Sequence, residues 1–226
     1  MLPELTAQAL FTLEHSLAGP ALADCGAVWT LLSRLADLIR SLAAGLPAGE
    51  WEEVAPEVWV ARGVVVPQTA TLIGPAIIGP DTELRPGAYV RGSVLVGRGC
   101  VVGNSTELKN CILFDEVEVP HFNYVGDSIL GWRAHLGAGA ICSNVRTDGR
   151  TVRIHGFGDA IDSGLAKLGA ILGDGADVGS NAVLNPGTVL GRGSRVYPLS
   201  SVRRQVPSRS IHKQNGDIVA ILEEAK

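Results

Sequence analysis

The sequence predicts an all-β fold class, a parallel β-helix wound from six-residue repeats across about residues 58–207. Glycine is abundant, with 28 of 226 residues, whereas aromatic residues make up 5% of a chain that is 46% hydrophobic. The core must therefore consist of small aliphatic side chains joined by tight corners. Large apolar residues also recur at every sixth position in two series: Ile78, Leu84, Val90, Val96, Val102, Leu108 and Phe114, then Leu172, Val178, Leu184, Leu190, Val196 and Val202.

A period of six residues fits a short strand followed by a corner. One aliphatic side chain per strand then points into a shared interior, and small residues such as Gly97 and Gly191 lie at the bends. Stacking of successive coils buries a column of aliphatic side chains and pairs each strand with the coils above and below it. The repeat is therefore typical of a solenoid.

Residues 1–50 are predicted to form an α-helical N-terminal cap. Apolar residues follow the i, i+3, i+4, i+7 stripe of an amphipathic helix from Val28 to Leu42, and the glycine- and proline-rich residues 45–49 end this helix. An earlier segment, roughly residues 4–16, is predicted as a second helix. Such a cap on one end of the solenoid would hide the open edge of a coil.

The β-helix is assigned to residues 51–210, and its period has two breaks. After Pro120 the apolar step shortens, and between residues 143 and 167 the pattern disappears. An interruption in a regular solenoid is a loop excursion from the stack, and such loops often carry functional residues. Residues 211–226 are predicted to be a C-terminal tail with a short strand and a surface segment.

Composition argues against several classes of partner. The net charge is −4 with no long basic run, so nucleic acid is not expected as a partner. No apolar stretch reaches the length of a membrane span, and the N-terminus has no basic segment typical of a secretory signal. Four dispersed cysteines fit a reducing cytoplasm, and neither they nor the five histidines show the short spacings of a zinc site, so no metal is expected.

The stretch ELKNCILFDEVEVPHFNYVGDSILGWRAHLGAGAICSNVRTDG, residues 107–149, contains the motif elements PHxxYVGDS, GAG and NxRxD. A later KLGAILGD returns the chain to the repeat. In these elements the sequence resembles the hexapeptide-repeat acyltransferases, and specifically the acetyltransferase half of bifunctional glucosamine-1-phosphate acetyltransferase/UDP-N-acetylglucosamine pyrophosphorylases. The archaeal-type sugar-1-phosphate nucleotidylyltransferase/acetyltransferases are similar in more of these elements.

This resemblance implies triangular, left-handed coils of eighteen residues, acetyl-coenzyme A as co-substrate and a homotrimer that binds the coenzyme between subunits. It covers about residues 58–207. No Gly-rich nucleotide loop precedes the repeats, so pyrophosphorylase (uridylyltransferase) activity is not expected from this chain.

The resemblance also assigns substrate-binding and catalytic roles. His121 matches the general base, which must take a proton from the attacking amine. Tyr124 matches a residue that contacts the sugar, and Lys109 matches a ligand of the sugar phosphate. A second phosphate ligand has two candidates: Arg85 fits the LRPG motif of the family, whereas Arg91 lies one full coil before Lys109 and should stack beneath it.

Further matches lie later in the chain. Asn144 matches an asparagine near the acetyl carbonyl and is assigned a catalytic role. Arg150 and Arg153 lie where archaeal-type enzymes place basic residues near the substrate, although both could be ordinary loop charges. His135 replaces a sugar-binding asparagine of the family. The positions that would line the coenzyme channel are Ala138, Ser180 and Pro198.

Besides His135, two further departures from the family pattern bear on function. Val145 replaces a tyrosine of the bacterial pattern, as it does in the archaeal type. Pro198 replaces a small residue of the coenzyme pocket and has no N–H to donate. The sequence therefore favours an acetyl-coenzyme A-dependent N-acetyltransferase acting on an amino-sugar 1-phosphate. The alternatives are a non-enzymatic sugar-phosphate or nucleotide-sugar binding protein and an O-acyltransferase acting on a nucleotide sugar.

Overall fold

A computed structural model describes residues 5–156 and 160–222, and in it the predicted left-handed parallel β-helix is confirmed. Three sheets, which we call sheets I, II and III, form the faces of the solenoid. A regular coil of the chain contributes a strand to sheet I, then to sheet III and then to sheet II. Sheet I consists of β1 (Trp51–Ala55), β2 (Val58–Ala61), β4 (Ala76–Ile78), β7 (Val94–Val96), β10 (Cys111–Leu113), β13 (Ile129–Leu130), β18 (Ala170–Leu172) and β21 (Thr188–Leu190).

The other two faces are built in the same way. Sheet II consists of β3 (Thr71–Ile73), β6 (Tyr89–Arg91), β9 (Glu107–Lys109), β12 (Tyr124–Gly126), β15 (Ile141–Cys142), β20 (Val183–Leu184) and β23 (Ser201–Val202). Sheet III consists of β5 (Glu83–Leu84), β8 (Val101–Asn104), β11 (Glu118–His121), β14 (His135–Leu136), β19 (Asp177–Val178), β22 (Arg195–Val196), β24 (Ser210–His212) and β25 (Ile218–Ala220). The excursion carries a small antiparallel pair, β16 (Arg153–Ile154) and β17 (Ile161–Asp162).

The period of the solenoid shortens at one corner. Leu113, and not the predicted Phe114, occupies the inward column, since it pairs with both Val96 and Leu130. The first short step therefore precedes Pro120. Each short step has a single residue with positive φ at the corner from sheet II to sheet I, Asn110 (48°) in one coil and Asp127 (49°) in the next. In the coil below, two residues at this corner have positive φ.

The N-terminal helical elements are α1 (Ala7–Leu10), α2 (Gly19–Ala23) and α3 (Leu35–Ala43), with 3-10 turns at Leu13–His15 and Val28–Arg34. Residues 1–4, of which only the last belongs to the first predicted helix, lie outside the described residues. These elements lie along sheet I across several coils, instead of covering only the edge of one coil. The Phe11 ring packs 4.9 Å from that of Phe114, and the Thr12 N–H donates to Asp174 Oδ2 at 2.7 Å.

The solenoid edges are covered by strands. β1 pairs antiparallel with β2 at one edge, and β25 pairs antiparallel with β24 at the other. The predicted tail thus forms a hairpin with the end of the solenoid, while its last four residues, 223–226, lie outside the described residues, as do 157–159 of the excursion. Among the residues that the structure does describe, no helix has the length and apolar character to cross a membrane.

Candidate active site

His121 ends strand β11 at the corner between sheets III and II. Its backbone is held in the stack, because His121 pairs with Asn104 of the coil below and its carbonyl accepts the Gly139 N–H at 3.0 Å. The imidazole is exposed, and within residues 5–156 and 160–222 it has neither a hydrogen bond nor an ion pair. The ring is therefore free to exchange a proton with a ligand.

The three predicted coenzyme-channel residues stack above His121. The strand registers pair Glu118 with His135, His135 with Asp177, and Asp177 with Arg195. Three residues further along each strand, His121, Ala138, Ser180 and Pro198 therefore form one column, with coils about 4.8 Å apart. The structure thus brings together on one corner residues that are far apart in the sequence.

Two backbone N–H groups of this column have no acceptor in the described part of the chain. Those of Ala138 and Ser180 donate to no group among the described residues, although the carbonyls of both residues accept hydrogen bonds from the next coil. Pro198 has no N–H at the equivalent position. The column therefore offers two free donors above the imidazole.

Exposed apolar side chains flank the column. Phe122 and Leu199 occupy the corner position after His121 and Pro198, and they are 60% and 64% exposed. Both have positive φ, 52° and 60°, a conformation that is uncommon for bulky residues. Sequence reasoning missed these two residues, because a period-six pattern assigns corner positions to small or polar side chains.

A polar cluster lies at the next corner, between sheets II and I. We call Lys109, Asn110, Tyr124, Asp127 and Asn144 the Asp127 cluster. Asp127 is 4% exposed and accepts hydrogen bonds from Lys109 Nζ at 3.0 Å to each oxygen and from Asn110 Nδ2 at 2.8 Å. Asn144 Nδ2 donates both to Asp127 Oδ2, at 2.5 Å, and to the Tyr124 hydroxyl, at 3.1 Å.

Sequence reasoning missed Asp127, which organises these contacts. The signal was present in the GDS of the PHFNYVGDS element, where a carboxylate interrupts an apolar run. A buried charge requires a partner, and here Lys109 supplies it. Lys109, Tyr124 and Asn144, which the sequence predicts as site residues, all belong to this cluster, but the sequence did not show what holds them together.

Gly126 makes room for this arrangement. A Cβ at this position would lie 2.4 Å from the Tyr124 hydroxyl oxygen and 2.8 Å from Asn144 Nδ2. The phenol and the amide therefore meet over the glycine. Burial raises the pKa of Tyr124 above its ordinary value, so the phenol stays protonated at neutral pH and keeps a hydrogen to donate.

The predicted phosphate ligands already have carboxylate partners. Arg91 lies in register beneath Lys109, as the eighteen-residue coil predicted. However, Arg91 forms an ion pair with Glu107, and Lys109 forms one with Asp127. Arg85 directly follows strand β5 of sheet III and forms an ion pair with Glu83 at 2.9 Å. An incoming phosphate would have to compete with a carboxylate at each of these cations.

The excursion forms a separate basic cleft of about 390 Å³. It is lined by Ser143, Val145, Arg146, Thr147, Asp148, Arg153, His155, Asn185, Pro186 and Arg203. Arg153 donates to the Ala160 carbonyl at 3.3 Å, and neither Arg153 nor Arg203 forms an ion pair within the described residues. Arg150 is exposed and is not part of this lining.

His135 lies apart from the Asp127 cluster, on the outer face of sheet III. Its Nδ1 is 2.9 Å from Asp177 Oδ1, and this hydrogen bond raises the pKa of His135 above its ordinary value. The two groups form a half-exposed ion pair between neighbouring coils. The structure therefore does not bring His135 to the same corner as Lys109 and Asn144.

The buried cysteines have little nucleophilic character. Burial raises the pKa of Cys100 and of Cys142 to about 12, so both thiols are protonated at neutral pH. Cys25 and Cys111 are also unpaired. Over the described ranges, no group of three or more His, Cys, Asp or Glu side chains is placed to hold a metal ion.

Residues 72–157 match the family model described as the GMPPB C-terminal domain. The chain is 34% identical over 121 residues to a bifunctional sugar-1-phosphate nucleotidylyltransferase/acetyltransferase of Sulfurisphaera tokodaii, a match that covers 54% of this chain and 30% of that protein. It is 31% identical over 176 residues to the bifunctional protein GlmU of Methanococcus maripaludis, covering 76% of this chain and 42% of that protein. The chain therefore spans less than half the length of either relative.

Among solved structures, the acetyltransferase domain of PglB from Neisseria gonorrhoeae, in complex with acetyl coenzyme A, superimposes with a TM-score of 0.40 at 20% identity. That match covers 62% of this chain and 55% of the other. The predicted resemblance is confirmed by the sequence relatives: the chain is similar to the C-terminal acetyltransferase part of the archaeal bifunctional sugar-1-phosphate nucleotidylyltransferase/acetyltransferases.

Proposed function

We propose that this chain is an acetyl-coenzyme A-dependent N-acetyltransferase acting on an amino-sugar 1-phosphate. One observation carries the proposal: the imidazole of His121, which has no partner among the described residues, lies at the foot of the column Ala138, Ser180 and Pro198. It lies three residues before Tyr124 of the Asp127 cluster. A proton acceptor thus lies on the same corner as the two N–H donors, and strand β12 leads from it to the corner with polar groups suited to a sugar.

The proposed reaction uses these groups in sequence. His121 takes a proton from the substrate amine as the nitrogen attacks the thioester carbonyl and the C–N bond forms. The N–H groups of Ala138 and Ser180 stabilise the negative oxygen of the tetrahedral intermediate. The C–S bond then breaks, and the coenzyme A sulfur leaves with the proton that His121 had accepted. No metal takes part in this route.

The phosphate of the substrate is proposed to bind in the excursion cleft. Arg153 and Arg203 form no ion pair among the described residues, although Arg153 lies near enough to Asp162 to help lower the pKa of that carboxyl. The cleft adjoins Asn144 through its neighbours Ser143 and Val145. Lys109 can add its remaining N–H, because Asp127 occupies only part of its donor capacity. The other sequence-based candidates, Arg85, Arg91 and Arg150, are given no phosphate contact in this arrangement.

Replacing Arg203 with alanine is expected to raise KM for the sugar phosphate about 10- to 100-fold with little change in kcat, because a charge-assisted hydrogen bond to the phosphate is lost. Initial rates at varied glucosamine 1-phosphate check this. Arg195→Ala is the control, since Arg195 is also exposed but lies on sheet III. Equal KM values for Arg203→Ala and the wild type would remove the cleft as the phosphate site.

The proposed activity is tested by thiol release from acetyl-coenzyme A with glucosamine 1-phosphate and galactosamine 1-phosphate. Glucose 1-phosphate, which lacks the amine, is the matched control. Turnover with an amino sugar and none with glucose 1-phosphate is expected. The enzyme proposal would be overturned if no amino sugar 1-phosphate is turned over and calorimetry detects no binding of coenzyme A.

We further propose that the chain forms a homotrimer that binds the coenzyme between its subunits, and that this trimer is located in the cytoplasm. The unpaired cysteines support a reducing compartment, and the exposed apolar side chains of Phe122 and Leu199 support contact with a ligand or a neighbouring subunit at that corner. Sedimentation equilibrium tests the trimer, for which a mass of three chains is expected.

A non-enzymatic sugar-phosphate binding protein is the second candidate, and Pro198 favours it. This residue removes one N–H from the column on which the coenzyme is proposed to lie. Calorimetry with desulfo-coenzyme A separates the two candidates. Binding supports the enzyme, whereas tight sugar-phosphate binding without coenzyme binding supports the second candidate.

A further inference from the structure

The amide of Asn144 has both of its N–H donors occupied. Nδ2 carries two hydrogens, and its two hydrogen-bond partners are the Tyr124 hydroxyl and Asp127 Oδ2. Oδ1 accepts no hydrogen bond from the described residues, and it is not among the buried unpartnered atoms, so solvent or a ligand reaches it. The group that Asn144 can offer to a ligand is therefore an acceptor.

The carboxylate of Asp127 determines this orientation. With the amide flipped, Oδ1 would face Asp127 Oδ2 with no hydrogen between the two acceptors, which is electrostatically unfavourable. The Lys109 ammonium holds the carboxylate in place through both of its oxygens. Because Asp127 is buried, water does not compete for these bonds, and the direction of the amide is fixed.

We infer that Asp127 is a positioning residue. It holds Asn144 so that Asn144 Oδ1 accepts a hydrogen bond from the N–H or O–H group of the substrate that will be acetylated. The inference rests on the proposed function and deepens it. The site then selects a substrate with an N–H or O–H donor at the reacting position, while the Tyr124 hydroxyl donates to an oxygen of the sugar. Asn144 orients the nucleophile and does not donate to the acetyl carbonyl.

Asp127→Asn is the first test, because it keeps the shape and removes the charge. Two outcomes are expected together: kcat falls about 10²-fold, as for a nucleophile misplaced by about 1 Å, and KM for acetyl-coenzyme A stays unchanged. Asp81→Asn is the control, since Asp81 is also a corner residue with positive φ (60°) and pairs with Arg98 of the next coil at 2.7 Å. Its kcat should equal that of the wild type.

A double-mutant cycle shows whether Asp127 acts through Asn144. The Asp127→Asn/Asn144→Ala variant should be no slower than Asn144→Ala alone, because the positioned group is already gone. Independent, additive losses in kcat would overturn the inference. If Asp127→Asn does not fold, Asn144→Asp is tested in its place. This variant keeps the shape of the side chain but loses the Nδ2 donors that bind Asp127. Turnover of Asn144→Asp equal to that of the wild type would overturn the inference.

A measurement without ligand separates this inference from the proposed function. In the wild type, the side-chain NH2 of Asn144 should exchange slowly with solvent by 15N NMR, and in Asp127→Asn it should exchange quickly. Fast exchange in the wild type would overturn the inference whatever the activity. A wild-type protein with a protected amide and no turnover would overturn the proposed function and support only the Asp127–Asn144 contact.

Discussion

Replacement of His121 by alanine is expected to lower kcat for acetyl transfer about 10²- to 10⁴-fold, the usual contribution of a general base. The imidazole is exposed and makes no hydrogen bond within the described residues, so its loss should leave the free energy of unfolding nearly unchanged. The loss should appear in kcat, because the side chain acts when the amine gives up its proton. Thiol release and urea denaturation measure the two quantities.

Asn104→Ala is the matched control for this variant. Asn104 is the register partner of His121 in the coil below and is also exposed, but it cannot accept a proton near neutral pH. Its turnover should stay within about twofold of the wild type while its fold is retained. Turnover of His121→Ala equal to that of the control would remove His121 as the base and leave the acetyltransferase proposal standing.

The solenoid could be predicted from sequence because its signal is local. Each six-residue unit places one aliphatic side chain inward, and this rule needs no knowledge of distant residues. The same locality explains the misplacement of Phe114. A one-residue corner at Asn110 shifts the column to Leu113, and because both side chains are apolar, composition alone cannot distinguish them.

Contacts between coils were less accessible to sequence reasoning. From sequence, Asp127 is expected to be an ordinary turn residue. Its hydrogen-bond partners come from two other coils, so they become apparent only when the stacking of the coils is known. The ion pair between Arg91 and Glu107 depends in the same way on register and side-chain direction. The pair between Arg85 and Glu83 joins residues of one coil and depends on side-chain direction alone. The position of the helical segment depends on contacts such as Thr12 with Asp174, which are 162 residues apart.

The shortened corners connect the fold to the candidate site. Asn110 and Asp127 are the positive-φ residues of the two shortened corners, and Asn144 lies at the third coil, where the excursion begins. Two tight turns therefore bring Lys109 and Asp127 into contact, and the excursion adds the amide above them. The irregular part of the solenoid thus carries the polar groups, whereas the regular coils supply a rigid frame.

Replacement of Gly103 by alanine is expected to destabilise the protein by more than about 4 kcal/mol or to prevent folding. A Cβ on Gly103 would lie 1.5 Å from the carbonyl oxygen of Pro120 and 2.0 Å from its carbonyl carbon. These are backbone atoms of the next coil, so no side chain can move aside to relieve the overlap. Urea denaturation of the purified variant, or its absence from the soluble fraction, measures the effect.

Gly26→Ala is the control for this prediction, because a Cβ there would meet nothing within 4 Å and the change should stay within about 1 kcal/mol. Gly103 also lies close to the proposed base. Pro120 immediately precedes His121, so any relaxation that accommodates the new methyl group must move strand β11 away from β8 and displace the imidazole from its column. A Gly103→Ala protein with the stability of the wild type would show that the two coils are not packed this closely. A folded variant that loses turnover would instead show that the close approach of Gly103 and Pro120 sets the position of the base.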